Sequence, residues 1–310
     1  MTIAALPLNR SNAPRGIAYM TIAVALFTIM DGFIKWLAEA GYPTMQLVFF
    51  RSLFAFLPLS LVLFRGPWRQ ALKVNDRRGH ALRCLCGLLA MAGFFYAYKL
   101  LPLADAIAIG FAAPIFITAL SVPLLGEKVG LRRWSACLVG FAGVLVILKP
   151  GAGLLESGAL VALAATVFYA LAAISVRRLS RTETNVSIIF YFTVSSTVVS
   201  ACFLPFQWVT PDLPDLGLLI LLGLLGGTAQ LFMTEAFRLG EMSVVMPFEY
   251  TAMLWSVAIG WWVWGHLPGS TLWIGAALVI ASGLYIVYRE TRVKRGVVVP
   301  DPGEPAAPST

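Results

Sequence analysis

Charged residues, histidines and enzyme motifs are scarce in this sequence. Only 12% of the 310 residues are charged and only 2 are histidines, whereas roughly 25% of the residues in soluble domains are charged. No G-x-x-x-x-G-K-[ST] phosphate loop, H-E-x-x-H metal motif or G-x-S-x-G nucleophile elbow occurs. These absences exclude a soluble domain of ordinary composition. They predict a chain that is not an enzyme, does not hydrolyse ATP, and binds no metal or cofactor.

Cysteines are also few, and their positions exclude a disulfide framework. The four cysteines all lie in or at the ends of apolar runs: Cys84, Cys86, Cys137 and Cys202. A cleavable signal peptide is not expected either, because the first apolar run is longer than the apolar core of such peptides. We therefore interpret that run as a retained helix.

Long apolar runs are what the sequence has in abundance. Hydrophobic residues make up 59% of the chain, and a run of about 20 apolar residues crosses a bilayer as a helix. The runs are continuous, whereas the strands of a membrane barrel alternate apolar and polar residues. We therefore predict an all-α membrane protein with ten transmembrane helices: 17–37, 44–64, 82–100, 104–125, 132–149, 157–178, 186–205, 216–237, 243–264 and 270–288.

The positive charges are distributed unevenly between the predicted loops. Ten spans place both termini on one side, and 19 of the 23 Lys and Arg residues fall in the tails and loops of that side. Lys35, Lys99 and Lys149 fall on the opposite side, and Arg51 lies within a span. Because loops rich in Lys and Arg stay in the cytoplasm, we predict a multi-pass protein of the bacterial inner membrane with both termini cytoplasmic. The net charge of +8 is then explained by the membrane topology and does not indicate nucleic-acid binding.

A short junction between two apolar runs occurs twice. Residues 97–100 read AYKL and residues 236–239 read AFRL, a shift of 139 positions (236 − 97 = 139). The same shift aligns further pairs: Ala113 with Ala252, Gly126 with Gly265, Gly130 with Gly269, and Trp134 with Trp273.

This repeat predicts two five-helix halves, residues 17–149 and 157–288. A cytoplasmic tail at 1–16 precedes them, and a Pro-rich, disordered cytoplasmic tail at 289–310 follows. Because five is odd, the second half enters the membrane from the opposite side, which makes the repeat inverted. Secondary transporters commonly have this plan, in which a central site opens to each side in turn. The alternative is that similar helix hairpins recur for packing reasons alone.

Several segments resemble the EamA-type branch of the drug/metabolite transporter superfamily. The resemblance is carried by LPLADAIAIGFAAPIFITALSVPLLGEKVGLRRWSACLVGFAGVLVILKPG, VFFRSLFAFLPL, VVMPFEYTAMLW and GAALVIASGLYIVYRE. It implies ten helices in two inverted five-helix repeats around a central cavity, and transport of a small metabolite. One departure is visible: Gly126-Glu127 has Gly265-His266 as its partner in the second half. The role of that glutamate in other second halves therefore does not carry over.

The resemblance is greatest to the branch that includes riboflavin and S-adenosylmethionine carriers. It implies riboflavin or a similar heteroaromatic metabolite as the substrate, and export of amino acids or drugs is the alternative. The other classes weighed are a membrane channel, which usually needs a polar stripe or charged ring, and a membrane-embedded enzyme. The expected partners are the small-molecule substrate, the lipid bilayer and a second copy in a homodimer.

Ionisable residues inside the predicted spans are candidate substrate contacts, because they are costly in lipid and usually face the bundle interior. Asp31 lies in the first span and Arg51 in the second. Asp31 either binds a cationic group or a proton in the cavity, or pairs with Lys35 one turn further on. Arg51 either holds an anionic group of the substrate, or pairs with Asp31 and locks two helices together.

The ninth span carries the segment Pro247-Phe248-Glu249-Tyr250. Glu249 and Tyr250 are predicted to contact the substrate or a coupling proton. Pro247 weakens the helix locally, as Pro114 does in the fourth span, and we interpret both prolines as hinges or packing kinks.

Three uncharged side chains complete the predicted substrate contacts. Gln230 can hydrogen-bond a substrate, and Tyr96 and Tyr169 can stack on a flat ring. Packing against lipid is the alternative for each tyrosine.

Overall fold

The computed structural model describes residues 13–64, 71–125, 131–148, 157–179, 182–239 and 246–296. All regular secondary structure within these ranges is helical. The helices are α1 (Ala13–Glu39), α2 (Thr44–Leu63), α3 (Arg77–Leu100), α4 (Leu103–Gly110), α5 (Ala113–Leu125), α6 (Leu131–Leu148), α7 (Ser157–Leu179), α8 (Asn185–Gln207), α9 (Leu213–Leu239), the 3-10 segment η1 (Met246–Thr251), α10 (Ala252–Trp264) and α11 (Ser270–Gly296).

The described residues of the predicted spans are helical except for Phe64 and the turn at Phe111 and Ala112, and the long helices fit a bilayer. In the described ranges, seven helical segments are long and apolar enough to cross a membrane, and two shorter apolar helices lie at Trp134–Ile147 and Ser270–Tyr285. The chain is therefore a multi-pass membrane protein. One boundary differs from the sequence prediction, because α11 continues through residues 289–296, which we had assigned to the disordered tail. The rest of that tail, 297–310, lies outside the described residues.

Local capping explains where two of these helices begin. Asp76 precedes α3, and its side chain accepts a hydrogen bond from the backbone N–H of Gly79 at 2.8 Å. Thr184 precedes α8 and accepts from the N–H of Ser187 at 3.1 Å. Each cap satisfies an N–H that has no partner within its helix.

The fourth predicted span, 104–125, is two helices and not one. The chain turns at Phe111 and Ala112, between α4 and α5. Pro114 is the second residue of α5 and has no N–H, so it cannot bond to the carbonyl of Gly110 as a continuous helix would require. The break therefore follows from the proline that we predicted to be a hinge or a kink.

The ninth predicted span, 243–264, is broken in a similar way. Its first described part is the 3-10 segment η1, which contains the backbone of Pro247 as well as Glu249 and Tyr250. The α-helix α10 begins only at Ala252 and ends at Gly265, which adopts a left-handed conformation with φ 68°. Residues 243–245 of the predicted span lie outside the described residues.

Helices from the first 149 residues pack mainly on helices from the second part of the chain. The most extensive contacts pair α3 with α7, α1 with α9, α6 with α11, and α2 with both α8 and α9. Small residues permit this close approach. A methyl group on Gly223 of α9 would overlap Phe54 of α2, and one on Gly93 of α3 would lie 2.8 Å from the β-carbon of Ala165 in α7.

Hydrogen bonds join the two parts of the chain at the end of the bundle where α1 ends, here called the Glu39 end. Gln46 donates to the carbonyl of Val209 at 2.7 Å and accepts from its N–H at 3.0 Å. Tyr42 donates to Asp215 at 2.8 Å, and Trp264 donates to Glu39 at 2.6 Å. Burial raises the pKa of Tyr42 to about 12, and the bond to Asp215 adds to this rise.

The opposite end, where α3 begins, is joined in the same manner and is here called the Glu183 end. One carboxylate oxygen of Glu183 accepts from the backbone N–H groups of Asn75 at 2.6 Å and Asp76 at 2.8 Å. The Asn75 amide also donates to the carbonyl of Thr182 at 2.8 Å. Burial raises the pKa of Glu183, but these two N–H donors and the nearby His80 outweigh it and hold the pKa below its ordinary value.

Candidate functional site: a cavity between α2, α3, α8 and α9

A cavity lies between helices from both parts of the chain. Two arginines, one amide and one hydroxyl face it among apolar walls. Its lining consists of Arg51, Ala55 and Leu59 from α2, Arg83 from α3, Ile189, Phe192 and Thr193 from α8, and Gly226, Gly227, Gln230 and Leu231 from α9. Two of the predicted substrate contacts, Arg51 and Gln230, therefore come together here.

Arg51 is deeply buried in this cavity. The residue is 7% exposed, and its Nε atom has no hydrogen-bond partner. Gly226 makes room for it, because a β-carbon at that position would lie 3.0 Å from Nε and 2.8 Å from the sulfur of Met30. The side chain is thus held against the backbone of α9 and not extended toward water.

Arg83 is the charged residue of this cavity that the sequence pattern does not reveal. The charge distribution groups it with the cytoplasmic loop charges, but α3 begins at Arg77, so Arg83 lies about 9 Å into the helix. Its guanidinium group folds back over Gly87, where a β-carbon would collide with it, and its Cζ lies 4.3 Å from the ring centroid of Phe192. Its Nε and one Nη atom are buried without hydrogen-bond partners.

Asp31 is not paired with Lys35, one of the two partners considered for it from sequence. It shares a hydrogen bond with the Tyr98 side chain and interacts electrostatically with Arg51. Lys35 instead donates to Glu39 at 2.6 Å and to the carbonyls of Tyr98 and Leu101 at 3.1 and 3.0 Å. Of the two roles considered for Asp31, pairing with Lys35 is therefore wrong.

Arg51 and Asp31 also do not form the close ion pair that would hold their two helices together. Both residues lie in the described part of the chain, and no ion pair within 4.0 Å joins them. Their interaction acts over a longer distance. Arg51 therefore keeps donors that a bound group could use.

Tyr169, Glu249 and Tyr250 form a second cluster close to the first. Tyr169 on α7 interacts electrostatically with both Glu249 and Arg83, so it connects the cluster to the cavity. It is 43% exposed, which leaves its ring open to a ligand or a lipid. Tyr250 interacts with Glu249 and packs edge-on against Phe111, with ring centroids 5.2 Å apart.

The remaining predicted positions lie away from the cavity lining. Tyr96 is 46% exposed on α3 and is not among the lining residues. Pro114 lies in the first turn of α5, beyond the break that follows α4. For Pro247 only the backbone position in η1 is described.

These features define the class of the protein. A helical membrane bundle with a buried, charged cavity between its two parts is typical of a transporter. The chain belongs to the EamA-like transporter family, whose model matches residues 14–149 and again residues 156–288. The family that we inferred from sequence resemblance is thus confirmed, and its members act on small molecules in a membrane setting.

Relatives of this chain are named for different substrates. A riboflavin transporter of Rhizobium johnstonii is 28% identical over 95% of this chain and 98% of its own length. An S-adenosylmethionine uptake transporter of Rickettsia prowazekii is 27% identical over 89% of this chain and 94% of its own. A pseudopaline exporter of Pseudomonas aeruginosa is 29% identical over 91% of this chain and 97% of its own.

A solved structure supports the fold alone. It superimposes with a TM-score of 0.61 at 20% sequence identity, and the match covers 90% of this chain and 98% of the other. The shared fold therefore extends over most of the chain.

Proposed function

We propose that this protein is a secondary transporter of the bacterial inner membrane that moves a small metabolite by alternating access. The observation that carries the proposal is the position of the cavity. It lies at the contact between the two parts of the chain, and hydrogen bonds join the same two parts at the Glu39 end and at the Glu183 end. In the proposed mechanism, the contacts at one end separate while those at the other end hold.

Three observations support an inverted repeat of two five-helix halves. The family model matches twice, at 14–149 and 156–288. The helix after the break begins at Ala113 in the first half and at Ala252 in the second, a separation of 139 residues (252 − 113 = 139). The third and sixth spans are in contact (α3 with α7). The repeat relates them to the eighth and first spans, which are also in contact (α9 with α1). Both contacts are extensive.

The distribution of charge supports an orientation with the Glu183 end in the cytoplasm. Lys73, Arg77 and Arg78 lie at that end, next to the loop that holds Glu183. Loops and helix ends rich in Lys and Arg remain cytoplasmic. Both termini then lie in the cytoplasm as well.

The substrate that we propose is riboflavin or a similar heteroaromatic metabolite. The riboflavin transporter of Rhizobium johnstonii is one of the relatives that align over nearly the whole chain. The rings of Phe192, Tyr169 and Tyr250 lie in or beside the candidate site, and aromatic rings of this kind stack on flat ligands. Asp31, Arg51, Gln230 and Glu249 would supply the polar contacts.

A second candidate function is export of an amino acid or an amino-acid-like metabolite. The relative in Pseudomonas aeruginosa is named as an exporter, and two arginines in the cavity are well suited to a carboxylate. Neither a channel nor an embedded enzyme has a specific observation in its favour.

Uptake by a riboflavin auxotroph of a Gram-negative bacterium tests the proposal. Cells expressing the full chain should take up labelled riboflavin saturably, and Glu249→Gln or Asp31→Asn should reduce the rate at least about tenfold if these side chains contact substrate or a proton. The control is Gly217→Ala, because a β-carbon there meets nothing within 4 Å. Membrane-inserted protein without uptake would exclude riboflavin import and turn the search to export. Wild-type rates in both variants across pH would remove them from the site.

A further inference from the structure

Two guanidinium groups converge on the cavity from neighbouring helices. Arg51 reaches it from α2 and Arg83 from α3, and the two lie close enough for their charges to repel each other. Like charges are costly where protein replaces water around them. A negative group between them would remove this cost.

The side chains around the two arginines do not supply that negative group. Three of their N–H nitrogens are buried and have no hydrogen-bond partner: Nε of Arg51, and Nε and one Nη of Arg83. In the ranges that the structure describes, no ion pair within 4.0 Å joins either arginine to an acid. Asp31 interacts with Arg51 at longer range while it shares a hydrogen bond with Tyr98. Buried donors without partners are rare in stable proteins, and they point to a ligand that fills them.

The direction of the Arg83 side chain also points to a ligand. An arginine near the end of a membrane helix normally extends outward to the interface, and helical side chains lean toward the N-terminus. Arg83 does the opposite, because its guanidinium group lies over Gly87, one turn deeper in the membrane, and against the ring of Phe192. Gly87 is needed for this arrangement, since any β-carbon there would displace the guanidinium group.

We propose that Arg51 and Arg83 together bind a carboxylate or phosphate group of the transported metabolite. Planar guanidinium groups bind such anions through paired N–H donors, and Gln230 is placed to add an amide contact from α9. The inference rests on the proposed transport function. Among the heteroaromatic metabolites proposed above, it favours those that carry an anionic group over neutral riboflavin. Neutral riboflavin would lack the group that these arginines bind, whereas its phosphate ester would carry it.

Thermal unfolding of the full chain in phosphatidylcholine nanodiscs tests this assignment with inorganic phosphate as the probe. At constant ionic strength, phosphate should raise the melting temperature of the wild type saturably. In Arg51→Gln and Arg83→Gln the apparent affinity should fall about 10- to 100-fold, because each variant removes hydrogen bonds to a charged group. Gly87→Ala should also weaken binding, because it keeps both charges but displaces Arg83 and the Phe192 ring on which it lies. The control Lys99→Gln removes a positive charge from an exposed position and should bind as the wild type does.

A pair of flavins that differ by one phosphate provides the second measurement. Flavin mononucleotide should bind the wild type at least about tenfold more tightly than riboflavin, and this preference should disappear in Arg83→Gln. A saturable phosphate effect that is equal in the arginine variants, or no effect of phosphate or flavin mononucleotide on the wild type, would overturn the inference. A merely structural role for Arg83 would lower the melting temperature in the variant without changing the phosphate dependence.

The phosphate of an anionic lipid headgroup is the other group that would bind these arginines. A second nanodisc composition distinguishes lipid from substrate. Addition of phosphatidylglycerol should leave the effect of phosphate unchanged. Loss of the phosphate effect would show that lipid occupies the arginines and would overturn the assignment to substrate.

Uptake assays separate this inference from the transport function. Transport of a neutral metabolite at wild-type rate by both arginine variants would contradict the anion site and leave the transporter intact. An intact phosphate site in a protein that transports none of the tested metabolites would count against transport instead.

Discussion

Phe111 and Tyr250 meet edge-on with their ring centroids 5.2 Å apart and their planes at 80°, and they occupy equivalent positions of the proposed inverted repeat (250 − 111 = 139). Each lies next to the break in its span, just before α5 or α10. In a twofold arrangement, equivalent residues touch only near the axis that relates the halves. The contact therefore favours an axis that passes between the two broken helices, beside the candidate site.

Gly283 keeps Tyr250 in this position and can be tested by substitution. The Tyr250 hydroxyl occupies the place that a β-carbon of Gly283 would take, so Gly283→Ala must displace the tyrosine from Phe111 and Glu249. We expect the variant to fold, because alanine favours a helix over glycine, and to transport at least about tenfold more slowly. Gly217→Ala in α9 is the matched control, since nothing lies within 4 Å of its added carbon. Equal initial uptake rates for the two variants would show that the position of Tyr250 is unimportant.

Lys35 is expected to stabilise the Glu39 end and not to take part in transport. It is 3% exposed and donates to Glu39 and to the carbonyls of Tyr98 and Leu101 at the end of α3. Lys35→Met should lower the free energy of unfolding by about 2 kcal/mol, the typical loss for hydrogen bonds to a charged group. Thermal unfolding in detergent measures this loss, with Lys99→Met on an exposed position as the control. A melting temperature equal to that of the control would contradict the role assigned to Lys35.

The Glu183 carboxylate should stabilise the opposite end in a pH-dependent manner. Its pKa in the folded protein lies below the ordinary value of 4.5, so its contribution is complete above about pH 4.5 and is lost as the pH falls through the lower folded value. Glu183→Ala removes the acceptor for two backbone N–H groups and should cost about 1.5–3 kcal/mol at pH 7.

Melting temperatures measured across pH test the predicted loss of this stabilisation at low pH. The difference between the wild type and Glu183→Ala should shrink as the pH falls below about pH 4.5. A difference that grows below that pH would mean that Glu183 is bound in its protonated form. Glu183→Gln, which keeps one acceptor oxygen, should lie between the two.

The helices and the family were predictable from sequence because both depend on local signals. Continuous apolar runs fix the spans within a few residues, and the quoted motifs identify the family. Pro114 marked the break between α4 and α5, although the sequence could not show whether it kinks or interrupts the helix. The structure resolves this because the turn at Phe111 and Ala112 separates two helices.

The cavity was only partly predictable because its second arginine is ambiguous in sequence. Arg51 stands alone in an apolar span, which marks it as functional. Arg83 follows Arg77 and Arg78 near a predicted helix end, where an outward-pointing side chain is the normal expectation. The one local signal is Gly87, one turn later, which provides the space into which Arg83 folds. Partners distant in sequence, such as Asn75 with Glu183 and Gln46 with Val209, leave no pattern that spacing could reveal.

The most direct test of alternating access is the reactivity of a cysteine at Gln230, which lines the cavity. The four native cysteines are first replaced by serine, and Gln230→Cys is then exposed to a membrane-impermeant thiol reagent in right-side-out and inside-out vesicles. Disulfide pairs close each end beforehand: Asn75→Cys with Thr182→Cys at the Glu183 end, and Gln46→Cys with Val209→Cys at the Glu39 end.

We predict labelling from both sides in the unlinked protein, and loss of labelling only from the side whose end is cross-linked. A reducing agent should restore it. Labelling from neither side would mean that Gln230 lies in a static core. Labelling from both sides with both ends cross-linked would show a path that bypasses these contacts, and either result would contradict a carrier that opens its two ends in turn.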